Sequence, residues 1–369
     1  MSESKTPSRR EFLKATAAGA ASLAVTGISA GSPQVALGKA KSCIFINLVG
    51  GPGHLDTFDP KPEAPAGFRG PFQPIQTKVP GLHLSELFPK LATLTDKFSL
   101  IRSMHHTAPP IHECGFQLLN TGHLFRDGPE WPNVGAVLSY LLANGEESNP
   151  WWICPNAVIS TGVNVSHGLG VGFLGSALRS PWSSEREGYT RPSSDTSIAY
   201  DIAYARDKKA RFITANMFNT VFDAVSWDCH ADGGSLRTDL NDIRNTVAPM
   251  FDTWFSHIIE SLDRRGRLDS TLVVATGEFG RTPQLNANGG RDHWAGAWTA
   301  LVAGGGVKGG RVIGRTDAKG TEPTDRPVTP QELVATIYHA LGVPPDATIP
   351  GPDGTPVAVY PGKPVSELF

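Results

Sequence analysis

The sequence predicts an α/β protein, a three-layer α/β/α sandwich around a mostly parallel sheet. Three observations predict it. Short apolar runs of the kind expected from strands covered on both faces recur, as at Cys43 to Val49 and Leu272 to Ala275. Between such runs lie segments whose apolar residues are spaced three and four apart, the spacing of amphipathic helices. Clusters of His and carboxylate residues follow directly on predicted strands, at the carboxyl ends where open α/β sheets gather their ligands.

Composition bounds the function. The chain has 369 residues, 40% of them hydrophobic, and a formal net charge of −2, which fits a globular protein with a sizeable core. No basic excess speaks for nucleic acid. At the start, Arg9-Arg10-Glu11-Phe12-Leu13-Lys14 precedes an apolar, alanine-rich run from Ala15 to Ile28. This pattern is a twin-arginine export signal, and the run is shorter than the roughly 20 residues a membrane span needs. Residues 1–38 are therefore expected to be a signal peptide, cleaved between Ala30 and Ala40, and residues 42–369 the folded domain. The mature chain has no expected membrane span and is expected in the periplasm or outside the cell. Its four cysteines, Cys43, Cys114, Cys154 and Cys229, are widely spaced without a Cys-x-x-Cys pair, so neither a zinc knuckle nor a small disulfide scaffold is indicated.

In chain order, the first strand at Cys43 to Val49 is closed by Gly50-Gly51-Pro52-Gly53, a tight turn; with no Lys-Ser/Thr after it, it is not a P-loop. Residues 60–80 read as a Pro/Gly-rich loop, and Ser85 to Leu94 as a capped helix with Pro89 in its first turn. A strand is predicted from Phe98 to Ser103. His105, His106 and His112 follow it, and His112 to Thr121 reads as a helix ended by Gly122. Another helix is predicted from Pro132 to Ala143, then a strand at Trp151 to Cys154. Residues 162–197 read as loop or lid and 198–209 as a helix. Arg211 to Thr214 and Val221 to Val225 read as strands, the second leading into Asp228-Cys229-His230. Phe251, Trp254, Phe255, Ile258, Ile259 and Leu262 share one face of a long helix whose stronger part Pro249 opens and Gly266 stops. Thr299 to Ala303 is a further strand, and Pro330 to Leu341 the closing helix.

The chemistry concentrates between Thr271 and Trp294. Glu278, Arg281, Asp292 and His293 fall just beyond the strand at Leu272 to Ala275. Asp228, His230 and His293 supply one carboxylate and two imidazoles, a set suited to zinc or another borderline divalent metal with a position left for water or substrate. A plainer reading stays open, in which Asp228 and His230 cap a turn and Glu278 pairs with Arg281.

The order of these motifs resembles the secreted domain-of-unknown-function 1501 family. The resemblance spans most of residues 42–345 and is carried by Leu118-Leu119-Asn120-Thr121-Gly122, Asp228-Cys229-His230, Gly277 to Pro283 and Gly290 to Trp294. That family is placed with the alkaline phosphatase-like hydrolases, which include phosphatases and arylsulfatases. The resemblance implies an alkaline phosphatase-like fold and a site for one or two divalent ions, zinc first among them. It implies that Asp228, His230 and His293 hold one metal, that Glu278 stands for a metal-binding Asp, and that Phe279 replaces a His. At the first strand Gly50 or Gly51 occupies the usual metal-binding Asp position, which leaves His54 and Asp56 as substitutes. His112 falls where the nucleophile is expected, and no Cys/Ser-x-Pro-x-Arg motif marks a formylglycine sulfatase.

The expected function is a metal-dependent exported hydrolase of phosphate or sulfate esters, acting on a small-molecule or glycan ester. His112 and Arg281 are its catalytic candidates: His112 as a metal ligand or a nucleophile, Arg281 as an oxyanion binder. A non-catalytic exported binding protein with a degenerate site, and a purely structural metal site, are the alternatives.

Overall fold

Alternate residues of the first strand enter two different cores. In β1 (Ser42–Asn47), Ile44 and Ile46 belong to one buried cluster and Cys43 and Phe45 to another. A strand can do this only when helices cover both faces of its sheet. The structure, a computed structural model, describes residues 38, 40–125, 128–142, 151–153, 168–175, 210–218 and 220–369. The expected signal peptide apart from Gly38, the helix at 198–209, Cys154 and most of the expected lid lie outside the described residues.

Six further strands complete the sheet: β2 (Phe98–Met104), β3 (Trp151–Ile153), β4 (Phe212–Asn216), β5 (Thr271–Thr276), β6 (Trp298–Ala303) and β7 (Val312–Ile313). Their order is β7-β2-β6-β5-β1-β4-β3. Phe45 of β1 lies opposite Thr214 on β4 and Val274 on β5, both in parallel register. β6 alone runs against its neighbours, antiparallel to both β5 and β2. Its run is as apolar as theirs because it is as deeply buried, so sequence does not distinguish its direction.

Helix α1 (His112–Thr121), α2 (Val134–Leu142) and α4 (Pro330–Ala340) cover the Cys43 and Phe45 face, while α3 (Ala248–Arg264) covers the other. The α3 stripe is the one its sequence predicts: Phe251, Trp254, Phe255, Ile258, Ile259 and Leu262 are all buried. Each such side chain contributes roughly 1.5–3 kcal/mol through burial, so Phe251→Ala should cost about 3–5 kcal/mol. Pro249 is the second residue of α3 and follows directly on a π-helical turn at Ile243–Val247, so the proline lies within one continuous helical run, just past a locally widened turn. A capping box between Thr329 and Glu332 opens α4, and Gly122 ends α1 in the left-handed conformation.

Two expected elements differ. The helix expected from Ser85 begins only at Pro89: His83–Ser85 is a strand, and the helix Pro89–Ala92 is capped from afar by the Asp252 carboxylate, which accepts from the Lys90 and Leu91 amides. Val221 to Val225 is not a strand, because Asp223 adopts φ 55°, incompatible with extended backbone. Asp228 and His230 therefore sit on an irregular loop rather than directly on a strand end.

The carboxyl ends of β1, β2, β4 and β5 share one rim of the sheet. Asn47 and Asn216 are hydrogen-bonded side chain to side chain across that rim at 2.7 Å. The loops that leave it carry the polar residues singled out above. Among the described residues, no helix is long and apolar enough to cross a membrane.

Candidate functional site

Asp228 is the centre of the site, and its place depends on glycine. The loop carrying it lies along the end of β1, with the Trp227 amide donating to the Val49 carbonyl at 3.2 Å. A Cβ on Gly50 would fall on the Asp228 amide nitrogen, and Gly50 also holds φ 106°, so only glycine fits there. The next residue, Gly51, meets the Phe279 carbonyl in the same way.

Three imidazoles turn their Nε2 atoms to the buried Asp228 carboxylate. His230 and His293 stand 3.1 Å from Oδ1 and His112 stands 3.5 Å from Oδ2. Each ring is held on its far side by an acceptor. His112 Nδ1 meets Glu278 Oε1 at 2.5 Å, His230 Nδ1 meets Asp292 Oδ1 at 3.2 Å, and His293 Nδ1 meets the Pro110 carbonyl at 2.8 Å. Those acceptors assign the ring hydrogen to Nδ1 in all three neutral tautomers, which leaves the Nε2 lone pairs facing a carboxylate. Lone pairs facing one another call for a cation or extra protons between them.

The unpartnered atoms say the same. His112 Nε2, Asp228 Oδ2 and Glu278 Oε2 are buried and lack hydrogen-bond partners. Buried polar atoms are rarely left so, and a bound ion is a standard way of satisfying them. The ligand atoms of His112, Asp228 and His293 lie within 4.8 Å of one another, close enough to hold one metal ion. An N/O donor set of this kind fits zinc.

Electrostatics follow the geometry. Burial alone would raise the Asp228 pKa, but Arg281 and the three histidines hold it well below the usual carboxylate range. For His112, burial would lower the pKa, yet the adjacent Asp228 and Glu278 carboxylates, the latter hydrogen-bonded to its Nδ1, carry it up to about 9. His293 moves the other way, lowered mainly by burial. The Phe279 ring packs against His112 and His293, with centroids 5.0 and 4.5 Å away, and forms the apolar wall of the cluster.

A two-residue ribbon pairs Gly280–Arg281 with His293–Trp294 and sets Arg281 opposite His293. The Arg281 side chain is buried, and its N–H groups are spent on the protein. Nε donates to the Gly51 carbonyl at 3.0 Å, Nη1 to His230 Nε2 at 3.1 Å and to the Arg291 carbonyl at 3.3 Å, and Nη2 to the Gly50 carbonyl and to Asp228 Oδ1. Five donors meet five acceptors, so Arg281 has none left for an oxyanion, contrary to the role expected from sequence.

The structure thus brings together Asp228, His230, His293, Glu278, His112 and Arg281. It does not bring in His54 or Asp56. His54 Nε2 meets the Gly320 carbonyl at 2.7 Å, and Asp56 forms a buried two-pronged pair with Arg291 at 2.6 and 3.0 Å. His106 packs edge to face on Trp298 instead of joining the cluster. Glu278 Oε1 serves His112 and the Gly50 amide, the latter at 2.9 Å. Sequence reasoning missed Gly115, whose added Cβ would lie 2.5 Å from the Glu278 carbonyl oxygen and 2.7 Å from Glu278 Cβ. Its signal was a glycine inside a helical pattern.

A family model described as protein of unknown function (DUF1501) matches residues 40–190 and 203–369. The chain belongs to this DUF1501 family. No curated protein matches it. Among solved structures it is similar to a protein in the alkaline phosphatase superfamily from Vibrio parahaemolyticus, at 14% identity, 83% of this chain, 67% of that one and a TM-score of 0.46. It is similar to the phosphonate monoester hydrolase SpPMH from Silicibacter pomeroyi, at 13% identity, 84% and 74% coverage and a TM-score of 0.44. A third similar structure is the C-terminal periplasmic domain of EcEptC from Escherichia coli in complex with Zn, at 10% identity, 90% and 98% coverage and a TM-score of 0.46.

Proposed function

We propose that this DUF1501 protein is an exported, metal-dependent hydrolase of phosphate or sulfate esters, acting on small-molecule or glycan esters. One observation carries the reading: three imidazoles, each fixed through Nδ1 by an outward acceptor, present Nε2 to one buried carboxylate. Histidines that ligate metals are oriented in this way by their second nitrogen. The motif order that resembles alkaline phosphatase-like hydrolases supports the ester class.

His112, Asp228 and His293 would hold one divalent ion, zinc first, and leave a coordination position for substrate. A bound ion supplies Lewis-acid polarisation of an ester oxygen. Glu278 Oε1 holds the hydrogen of His112 Nδ1, which keeps Nε2 free to ligate. That assignment makes His112 a ligand and not a nucleophile, and makes Glu278 its orienting partner. Glu278 Oε2 has no partner and is the acceptor left to take a proton from an attacking water.

The alternative of a non-catalytic exported binding protein draws on one observation, that Arg281 keeps no donor for a substrate oxyanion. The test is turnover of a panel of phosphate monoesters, phosphate diesters and sulfate esters by zinc-loaded protein. Hydrolysis that is lost on chelation and in His293→Ala supports the reading. Bound zinc without turnover transfers support to a binding protein, and absence of bound metal ends both metal readings. Export is tested separately: Lys at both Arg9 and Arg10 should retain the protein in the cytoplasm, and normal periplasmic yield of that variant would sink the twin-arginine assignment.

A further inference from the structure

The acceptors around Arg281 form a set that a cation must occupy. The carbonyls of Gly50 and Gly51 converge there, and hard metal ions favour such oxygens. Asp228 Oδ1 and His230 Nε2 stand 3.1 Å apart in the same place, both offering lone pairs. A guanidinium can only donate. It therefore fixes the acceptor role of His230 Nε2, and the hydrogen at His230 Nδ1 faces Asp292 Oδ1. The two oxygens of Asp228 differ in consequence: Oδ1 takes the Arg281 guanidinium, with His293 Nε2 3.1 Å away, while Oδ2 is unpartnered and lies on the His112 side.

We propose that Arg281 is a built-in second cation of this site. Its guanidinium fills the position among Gly50 O, Gly51 O, Asp228 Oδ1 and His230 Nε2 that a second ion would take, and limits the protein to one divalent ion beside Asp228 Oδ2. This rests on the metal reading above and goes beyond it, because it gives the reason that a second ion is excluded and that His230 Nε2, engaged by Arg281, stays outside the ligand set. Arg281 is a positioning residue here: it acts through Asp228 and touches no substrate. Lysine cannot replace it, since an ammonium is a point charge without the planar fork that meets five acceptors.

The experiment is zinc titration of the full mature chain, read by native mass spectrometry and by elemental analysis after gel filtration. Wild-type protein should bind one zinc ion. Two ions in the wild type would overturn this proposal and leave the metal reading standing, whereas no ion would overturn both. Because the wild-type measurement needs no mutation, it decides even if a variant fails to fold. In Arg281→Ala, the vacated acceptors should take a second zinc ion, and without zinc the variant should gain thermal stability from millimolar methylguanidinium. A folded Arg281→Ala that stays at one ion and gains nothing from methylguanidinium would overturn the proposal.

Discussion

His112 Nδ1 and Glu278 Oε1 lie 2.5 Å apart, both buried, and join the first turn of α1 to the loop that leaves β5. The contact orients the imidazole from behind, and outer partners of this kind commonly contribute roughly 10–100-fold to metal affinity. Glu278→Ala should weaken zinc binding by about that factor, and Glu278→Gln, which keeps a carbonyl acceptor, by less. Competition against a fluorescent chelator measures both. Equal affinity in Glu278→Ala and wild type would show that the contact does not orient a ligand.

Metal uptake should release a proton. In the metal-free protein, burial works to lower the His112 pKa, but Asp228 and Glu278 outweigh it and hold the ring charged up to about 9. The folded value is thus raised above the ordinary 6.5. The charged ring stabilises the metal-free fold fully below pH 6.5, and that contribution is lost as pH rises through about 9. An ion needs the neutral ring, so its affinity should climb with pH over the same window. Calorimetry at pH 7.5 in buffers of different ionisation heat should give proton release near one per ion. A binding heat independent of buffer would contradict the assignment of His112 as ligand.

The Asp56–Arg291 pair should matter to folding and not to metal content. Both side chains are buried, and Arg291 also donates to the Thr282 and Phe68 carbonyls. Asp56→Ala leaves a buried guanidinium without its counter-charge, and such losses cost about 3–5 kcal/mol. Urea denaturation should show that loss, partly recovered in the Asp56→Ala, Arg291→Met double variant, with zinc content unchanged. A fall in zinc content in a folded Asp56→Ala protein would return Asp56 to the ligand set.

Gly115→Ala should injure the site from within a helix. Alanine improves helix propensity by about 1 kcal/mol, yet its Cβ would press 2.5 Å from the Glu278 carbonyl oxygen. Crowding of this sort costs about 1–3 kcal/mol, and it would separate α1 from the Glu278 loop. The variant should lose both stability and zinc affinity. Retained affinity would mean that the loop yields without moving His112.

Much of the fold was legible because strands buried on both faces and one-sided helices leave strong periodic signals. β1, β5 and the α3 stripe were readable from apolar residues alone. The direction of β6 was not, since burial is the same either way up. At the site, Glu278 and His293 are singled out by their place after β5, and Asp228 and His230 by their Asp-x-His spacing, although the strand expected before that pair is an irregular loop. The role of Arg281 could not, because four of its five partners are backbone carbonyls or a ring nitrogen brought close only by the glycine turn at Gly50 and Gly51. Asp56 and His54 looked like ligands by position along the chain, but Arg291 and the Gly320 carbonyl, both distant in sequence, claim them.

The reversed direction of β6 has a consequence for how such a protein can diversify. A parallel strand after β5 would require a crossover through a helical layer. Here the chain leaves β5 at Thr276 and re-enters the sheet at Trp298 on the same rim. The intervening stretch carries Glu278, Arg281, Asp292 and His293, so it behaves as a cassette anchored at both ends to one side of the scaffold. Relatives could exchange or rewrite it as a single piece, altering several site residues in one event while the helices on either face keep their contacts.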